Sequence, residues 1–323
     1  MYAPSDLRGL NAMVAAPATP DANRLDSTDT VDVDSLRDLI NKLIADGVNV
    51  VSMMGSYGEC HTLLWEEFQT LTKTAGETVN KRVPLFIGVT SLNSREVARK
   101  ARFARDVGAE GIFTGVPFYY PPTVDNAIEF YHDMADYLPD LSIQIYHNPP
   151  LHNIHIPVSA FPKLVEKRQI VSMKDSHRSP LEFIRLNDVV EGKISVFVNQ
   201  MQAFPFQGLG ARGFWSTDVN MGPWPLLRLR DAVDDGDDET AKQILREIGG
   251  LGEGEWGGPQ DNARKLAATA AGYANLGPNR PPFAVVRPDS LDKQMKRAAG
   301  WKALCEKYRP QVESRTLAAA GAR

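Results

Sequence analysis

The chain has 323 residues, 43% hydrophobic and 24% charged, enough for a sizeable core in one large α/β domain with an appendage or in two medium domains. A formal net charge of −4 leaves no basic footprint for nucleic acid, and two cysteines outside any CxxC pattern, Cys60 and Cys305, argue against a disulfide scaffold or a cysteine zinc site. The N-terminus lacks a basic region followed by an apolar run, and no stretch reaches membrane-spanning length, so a soluble cytoplasmic protein with no membrane partner is expected.

Residues 10–15 read as a first strand, ended by Pro17 and Pro20. Residues 34–46 predict a helix with Leu36, Leu39, Ile40, Leu43 and Ile44 on one face and Gly47 as its stop. The unbroken apolar run 48–54 suits a strand buried on both faces of a parallel sheet, and a helix over 65–79 follows. The rhythm repeats with strands over 85–89, 111–116, 142–146 and 170–174. Helices are predicted over 93–107, around Ile128, Tyr131, Ala135 and Leu138, and over 158–167. Shorter pieces over 180–190, 195–199, 204–209 and 214–216 complete about eight β-then-α steps, which fits a (β/α)8 TIM barrel better than an open sheet.

After Pro225 the pattern is helical. Residues 225–234 close the barrel, while 238–248, 263–275 and 290–308 predict a C-terminal helical appendage. The expected division is a tail over 1–8, the barrel over 9–235, the helical region over 236–310 and a disordered tail over 311–323.

Three strand ends carry chemistry. Gly55-Ser56-Tyr57-Gly58-Glu59 follows the second strand, where such a turn presents a hydroxyl and backbone N–H groups to an anion; taken alone, an ordinary tight turn accounts for it better. Tyr146-His147-Asn148-Pro149 ends the fifth strand, and its tyrosine suits either the barrel mouth or an aromatic cap on the core. Lys174 ends the apolar sixth strand. Burial there disfavours the ammonium and frees a neutral amine for nucleophilic attack; a lysine snorkelling out of the rim fits equally well.

Other signals are weaker. Residues 252–257 satisfy GxGxxG without a preceding strand, and two glutamates there would repel a pyrophosphate. The acidic run 234–239 lacks calcium-loop spacing and reads as a solvated turn. His152 and His155 lack a metal-site carboxylate pattern and read as surface or loop residues, so no metal is expected.

In register, the three motifs resemble the dihydrodipicolinate synthase / N-acetylneuraminate lyase family, over residues 9–308. Within it, the Tyr146-x-Asn148-Pro149 pattern, Phe214-Trp215-Ser216-Thr217 and Gly277-Pro278-Asn279-Arg280-Pro281-Pro282 are similar to the aromatic-degrading hydratase-aldolases, which cleave benzylidenepyruvate-type substrates. Tyr57 replaces the second hydroxyl residue of the synthases, and Leu151 stands where they carry arginine, against a lysine-biosynthesis role.

The resemblance implies a lyase that needs no cofactor beyond a Schiff base on Lys174. Ser56 and the N–H of Tyr57 would hold the carboxylate of a 2-oxo acid, and Tyr146 would move protons. Asn148 and Trp215 would position water and the aryl group. The products would be pyruvate and an aromatic aldehyde. Pro117-Phe118-Tyr119-Tyr120 is similar to the family loop whose tyrosine reaches a neighbouring subunit's site, so Tyr119 is expected near substrate and a homotetramer is implied. Among ring substituents an ortho carboxylate is favoured over a hydroxyl, with Arg178 as its planar partner; Arg178 equally suits a solvent-facing or helix-capping role. The alternatives are a sugar-acid or sialic-acid-type lyase or a dihydrodipicolinate synthase on the same lysine, and a non-catalytic 2-oxo-acid-binding regulator.

Overall fold

In the computed structural model, which describes residues 1–252 and 260–321, the apolar runs become eight parallel strands closed into one barrel in chain order, the last pairing back onto the first. The first half runs β1 (Gly9–Val14), α1 (Val33–Asp46), β2 (Val50–Met53), α2 (Trp65–Val79), β3 (Leu85–Gly88), α3 (Ser94–Asp106), β4 (Gly111–Thr114) and α4 (Val124–Tyr137). The second half runs β5 (Ser142–His147), α5 (Pro149–His152), α6 (Phe161–Leu164), β6 (Ile170–Asp175), α7 (Pro180–Val190), β7 (Ser195–Asn199), α8 (Ala203–Gln207), β8 (Gly213–Ser216) and α9 (Trp224–Asp235). Three helices follow: α10 (Asp238–Gly250), α11 (Ala263–Ala270) and α12 (Pro288–Gly321). The fold is a (β/α)8 barrel with C-terminal helices.

Local chemistry sets the element ends. Asp32 caps α1 by accepting from the N–H of Ser35, and Gly47 ends it in the left-handed conformation. Leu36, Leu39, Ile40 and Leu43 bury its inner face. Ser179 and Glu182 form a capping box at the start of α7, with Pro180 in the first turn. The acidic run near 234–239 is an interhelical turn: Gly236 closes α9, and Asp237 caps α10 by accepting from the N–H of Thr240.

Three predicted bounds move furthest. The helix expected over 158–167 shrinks to a 3-10 turn, Val158–Ala160, running into α6. Pro157 and Pro162 fix its start, and no apolar residue between Val165 and Ile170 holds another turn. Gly272, with φ +87°, stops α11 short of residue 275. The segment expected to be a disordered tail instead continues α12 through Gly321, because Val312 enters the core and Arg315 pairs with Asp231 and Asp235. Most of the GxGxxG stretch lies outside the described residues.

Strand register stacks the inward side chains in layers of four drawn from alternate strands. Ser52, Phe113, Lys174 and Trp215 share one layer; Asn11, Phe86, Gln144 and Phe197 form the next, towards the strands' N-terminal ends. Among the described residues no helix is long and apolar enough to cross a membrane.

The C-terminal helices are part of the same packing unit. α12 lies against α9 and α11. Its Trp301 is fully buried and donates from Nε1 to the carbonyl of Gly222 at 3.0 Å. Its Arg297 grips Asp218, just after β8, through two hydrogen bonds of 3.0 and 2.6 Å. Both side chains are almost wholly removed from solvent. Removing one partner of such a pair strands a buried charge, so Arg297→Met is expected to lower unfolding free energy by about 3–5 kcal/mol. Urea denaturation measures the loss; the exposed control Arg99→Ala should change stability by less than ~1 kcal/mol.

Candidate active site

Lys174 sits at the C-terminal end of β6, inside the barrel, beside Tyr146 on the adjacent strand. Its Nζ lies 5.7 Å from the Tyr146 ring centroid and donates to Ser176 Oγ at 2.5 Å. Burial penalises the ammonium and lowers the amine to about 8, only partly opposed by the charge of neighbouring Asp175. About a tenth of the amine is then neutral at pH 7, a few hundred times the share of an ordinary lysine.

The Tyr146 hydroxyl is held from two sides. It shares a 3.2 Å hydrogen bond with Ser56 Oγ and accepts one of 3.2 Å from Asn148 Nδ2. Burial raises its pKa, with both hydrogen bonds opposing, so the phenol stays protonated. Trp215 stacks beside its ring at 5.9 Å, and Phe113 meets both edge-on. Lys174, Tyr146, Ser56, Asn148 and Trp215 therefore come together at one end of the barrel. The Tyr57 side chain lies next to them, its ring 4.6 Å from the Arg264 guanidinium.

The turn carrying Ser56 is strained and anchored. Met54 and Glu59 flank it with φ +58° and +57°, left-handed values that cost non-glycine residues about 1–3 kcal/mol each. Gly58 is required, since a Cβ there would fall 2.6 Å from the Met54 backbone nitrogen. What holds the turn is Glu59. Its carboxylate accepts from Lys265 Nζ at 2.9 Å, from Arg280 Nη1 at 2.6 Å and from the Arg280 backbone N–H at 2.9 Å. Arg280 continues to Thr30, which is hydrogen-bonded to Glu67. All four charged side chains are buried. Arg264, Lys265 and Arg280 escape sequence reasoning as site residues. Arg264 and Lys265 carry no local signal beyond an amphipathic helix, and Arg280 is marked only by the Gly277–Pro282 resemblance.

Arg178 and Tyr119 do not reach the cluster. The Arg178 side chain is buried and turned inward: Nε lies 2.6 Å from Asp175 Oδ2, and Nη2 donates to the Ile156 carbonyl at 2.6 Å. It neither faces solvent nor presents a fork to a ligand. The reason is Asp175, which alternates outward from Lys174 and needs a counter-charge. Burial works against that carboxylate, yet His147, Arg178 and the His177 N–H outweigh it and hold the group below the usual carboxylate range. His147 accepts from the Ile156 N–H through Nε2, so its proton lies on Nδ1, 3.2 Å from Asp175. Tyr119 is 73% exposed and meets Tyr120 edge-on, with ring centroids 5.1 Å apart. His152 corrects the sequence reading: it is buried, with Nδ1 3.1 Å from the Tyr146 carbonyl, and burial lowers it to about 4. Among the described residues, no group of three or more His, Cys, Asp or Glu is arranged to hold a metal ion.

The dihydrodipicolinate synthetase family model matches residues 10–299. The chain belongs to that family. It is 32% identical to the trans-O-hydroxybenzylidenepyruvate hydratase-aldolase of Pseudomonas putida, over 94% of this chain and 95% of that protein. It is 27% identical to the trans-2'-carboxybenzalpyruvate hydratase-aldolase of Nocardioides sp. (strain KP7), over 94% and 96%. The solved structure of PhdJ bound to a substrate intermediate superposes with a TM-score of 0.89 at 27% identity, covering 95% of this chain and 99% of that one.

In this member of the dihydrodipicolinate synthetase family, Lys174 is a stability liability that pH can relieve. Its pKa is about 8 folded against an ordinary 10.5, so the folded state bears the full cost below pH 8. Between 8 and 10.5 the unfolded chain binds more protons and stability rises with pH, until the cost vanishes. Lys174→Met should therefore be more stable than wild type at pH 7, with the gap closing by about pH 10.5. Paired urea titrations across that window check the sign.

Proposed function

We propose that the protein is a class I hydratase-aldolase that cleaves an ortho-substituted benzylidenepyruvate to an aromatic aldehyde and pyruvate through a Schiff base on Lys174. The observation that carries this reading is the buried, low-pKa amine of Lys174 set beside a Tyr146 hydroxyl that Ser56 and Asn148 hold in place. The hydratase-aldolase relatives named above support it.

Neutral Lys174 attacks the keto carbon of the substrate. Tyr146 supplies and recovers protons as the carbinolamine forms and loses water, leaving an iminium. Ser56 Oγ and the Tyr57 N–H hold the adjacent carboxylate. The iminium draws electrons from the conjugated double bond, so water adds at its far carbon, and the enamine so formed takes a proton at the neighbouring carbon to become an iminium again. The new hydroxyl then gives up its proton, and the carbon–carbon bond breaks into the iminium. The aldehyde leaves, and a pyruvate enamine remains; protonation and hydrolysis return the free amine. Trp215 offers an aromatic wall for the aryl group.

Trans-o-hydroxybenzylidenepyruvate is the first substrate to test. The case for a ring carboxylate takes His147, His177 and Arg178 as partners, and two of these, His147 and Arg178, are committed to Asp175. Loss of conjugated absorbance should give a higher kcat/KM for the hydroxy compound than for trans-2'-carboxybenzalpyruvate. The reverse order would return the ring carboxylate to first place.

Pyruvate with borohydride should add a reduced adduct to the intact mass, absent in Lys174→Ala. An unmodified wild type, or an adduct that survives the substitution, would sink the assignment. Tyr146→Phe should lower kcat by roughly 10²–10⁴-fold with a smaller change in pyruvate affinity. Turnover should survive dialysis against EDTA. We further infer a homotetramer in which Tyr119 serves a neighbouring copy's site; light scattering reports the assembly, and Tyr119→Ala should reduce turnover.

A further inference from the structure

Beneath Lys174, the two layers of barrel side chains described above contain an unusual set of polar atoms. Asn11, Ser52 and Gln144 are fully buried, and Trp215 is 6% exposed. Both side-chain atoms of the Asn11 amide, the Ser52 hydroxyl, the Gln144 carbonyl oxygen and the Trp215 indole N–H have no hydrogen-bond partner among the described residues. Buried polar atoms left bare cost stability, so a single strand carrying one would be a local defect. Here they come from β1, β2, β5 and β8 and share two adjacent layers.

We propose that Asn11, Ser52, Gln144 and Trp215 build an internal water site under Lys174, which keeps the floor of the active site polar. The chemistry of the set selects the occupant. An anion needs donors and a cation needs oxygens, whereas this set interleaves an amide N–H2, an indole N–H and a hydroxyl with two carbonyl oxygens. Water, which both donates and accepts and makes roughly three hydrogen bonds when buried, fits that mixture. The opposite amide edge of Gln144 is already committed: its Nε2 donates to Ser172 Oγ at 2.8 Å, and that hydroxyl donates to the Ser195 carbonyl at 2.9 Å. Ser195 Oγ in turn donates to the Leu7 carbonyl at 2.5 Å, closing the lower end of the barrel. Phe86, Phe113 and Phe197 supply the apolar walls.

Asn11 and Ser52 are then positioning residues, acting on Lys174 through the water they hold. The titratable groups facing Lys174 are Tyr146 on β5, His152 after it, and Asp175 and His177 on its own side. A polar floor favours the ammonium against the burial that disfavours it. Removing the water should lower the amine's midpoint further. Only the catalytic consequence rests on reading Lys174 as the nucleophile.

High-resolution crystal structures of the full chain and of Asn11→Leu test the site. The expected result is one or more waters within hydrogen-bond distance of Asn11 and of at least one of Ser52, Gln144 and Trp215, absent from the variant. A dry interior, direct bonds among these side chains, or an occupant contacted by oxygens alone would overturn the proposal. Titration of the Lys174 amine by 13C NMR of its ε-carbon gives the second readout. The midpoint should fall by about half a pH unit or more in Asn11→Leu, and an unchanged midpoint would remove the positioning role. If Asn11→Leu does not fold, Ser52→Ala carries both measurements. Neither readout requires turnover, so a failed borohydride trap would sink the Schiff-base reading and leave the water site standing.

Discussion

The Glu59 carboxylate, held between Lys265 and Arg280, is the interaction on which the geometry of the site depends. Left-handed backbone at Met54 and Glu59 costs energy that the turn itself does not return. A buried carboxylate meeting two cations and a backbone N–H supplies the compensation, and losing one partner of such a group costs about 3–5 kcal/mol. Ser56 is three residues away, and through it the Tyr146 hydroxyl is fixed above the Lys174 layer. The Tyr146 hydroxyl, proposed above as the proton-transfer group, is thus placed by charges that do not touch it.

A second charged cluster solves a different problem. The nucleophilic role proposed for Lys174 needs its ammonium disfavoured, yet the next residue is an aspartate whose charge favours it. The strand pleat directs Asp175 to the other face, where Arg178 and His147 engage it. Its field on the amine is weakened there, and burial wins. The same demand turns Arg178 onto Asp175 and the Ile156 carbonyl, away from the Lys174–Tyr146 cluster.

The strands, and the placement of Lys174 and Tyr146 at strand ends, are legible because barrel strands are buried on both faces. They read as continuous apolar runs, so a lysine or tyrosine at the end of one stands out. The (β/α)8 arrangement followed from the spacing of those runs. What stayed hidden is tertiary. Lys265 and Arg280 lie more than 200 positions from Glu59 in sequence, 206 and 221 respectively. His152 looked like a loop residue because nothing local reveals the Tyr146 carbonyl it faces. The extension of α12 depends on Val312 finding a core and Arg315 finding two aspartates, neither visible in a segment rich in alanine. Helix periodicity identified Leu36, Leu39, Ile40 and Leu43 correctly because packing of that face is decided within one element.

The distance along the chain between Glu59 and its counter-charges has a consequence for biosynthesis. A ribosome delivers the chain from the N-terminus, and all eight strands are made before Lys265 and Arg280 leave the exit tunnel. A nascent barrel can pair its strands, bury Lys174 and still lack the charges that hold the Ser56 turn. The turn that carries Ser56 is therefore anchored by residues made well after the eighth strand, so translation must run past Arg280 before Glu59 has both its counter-charges.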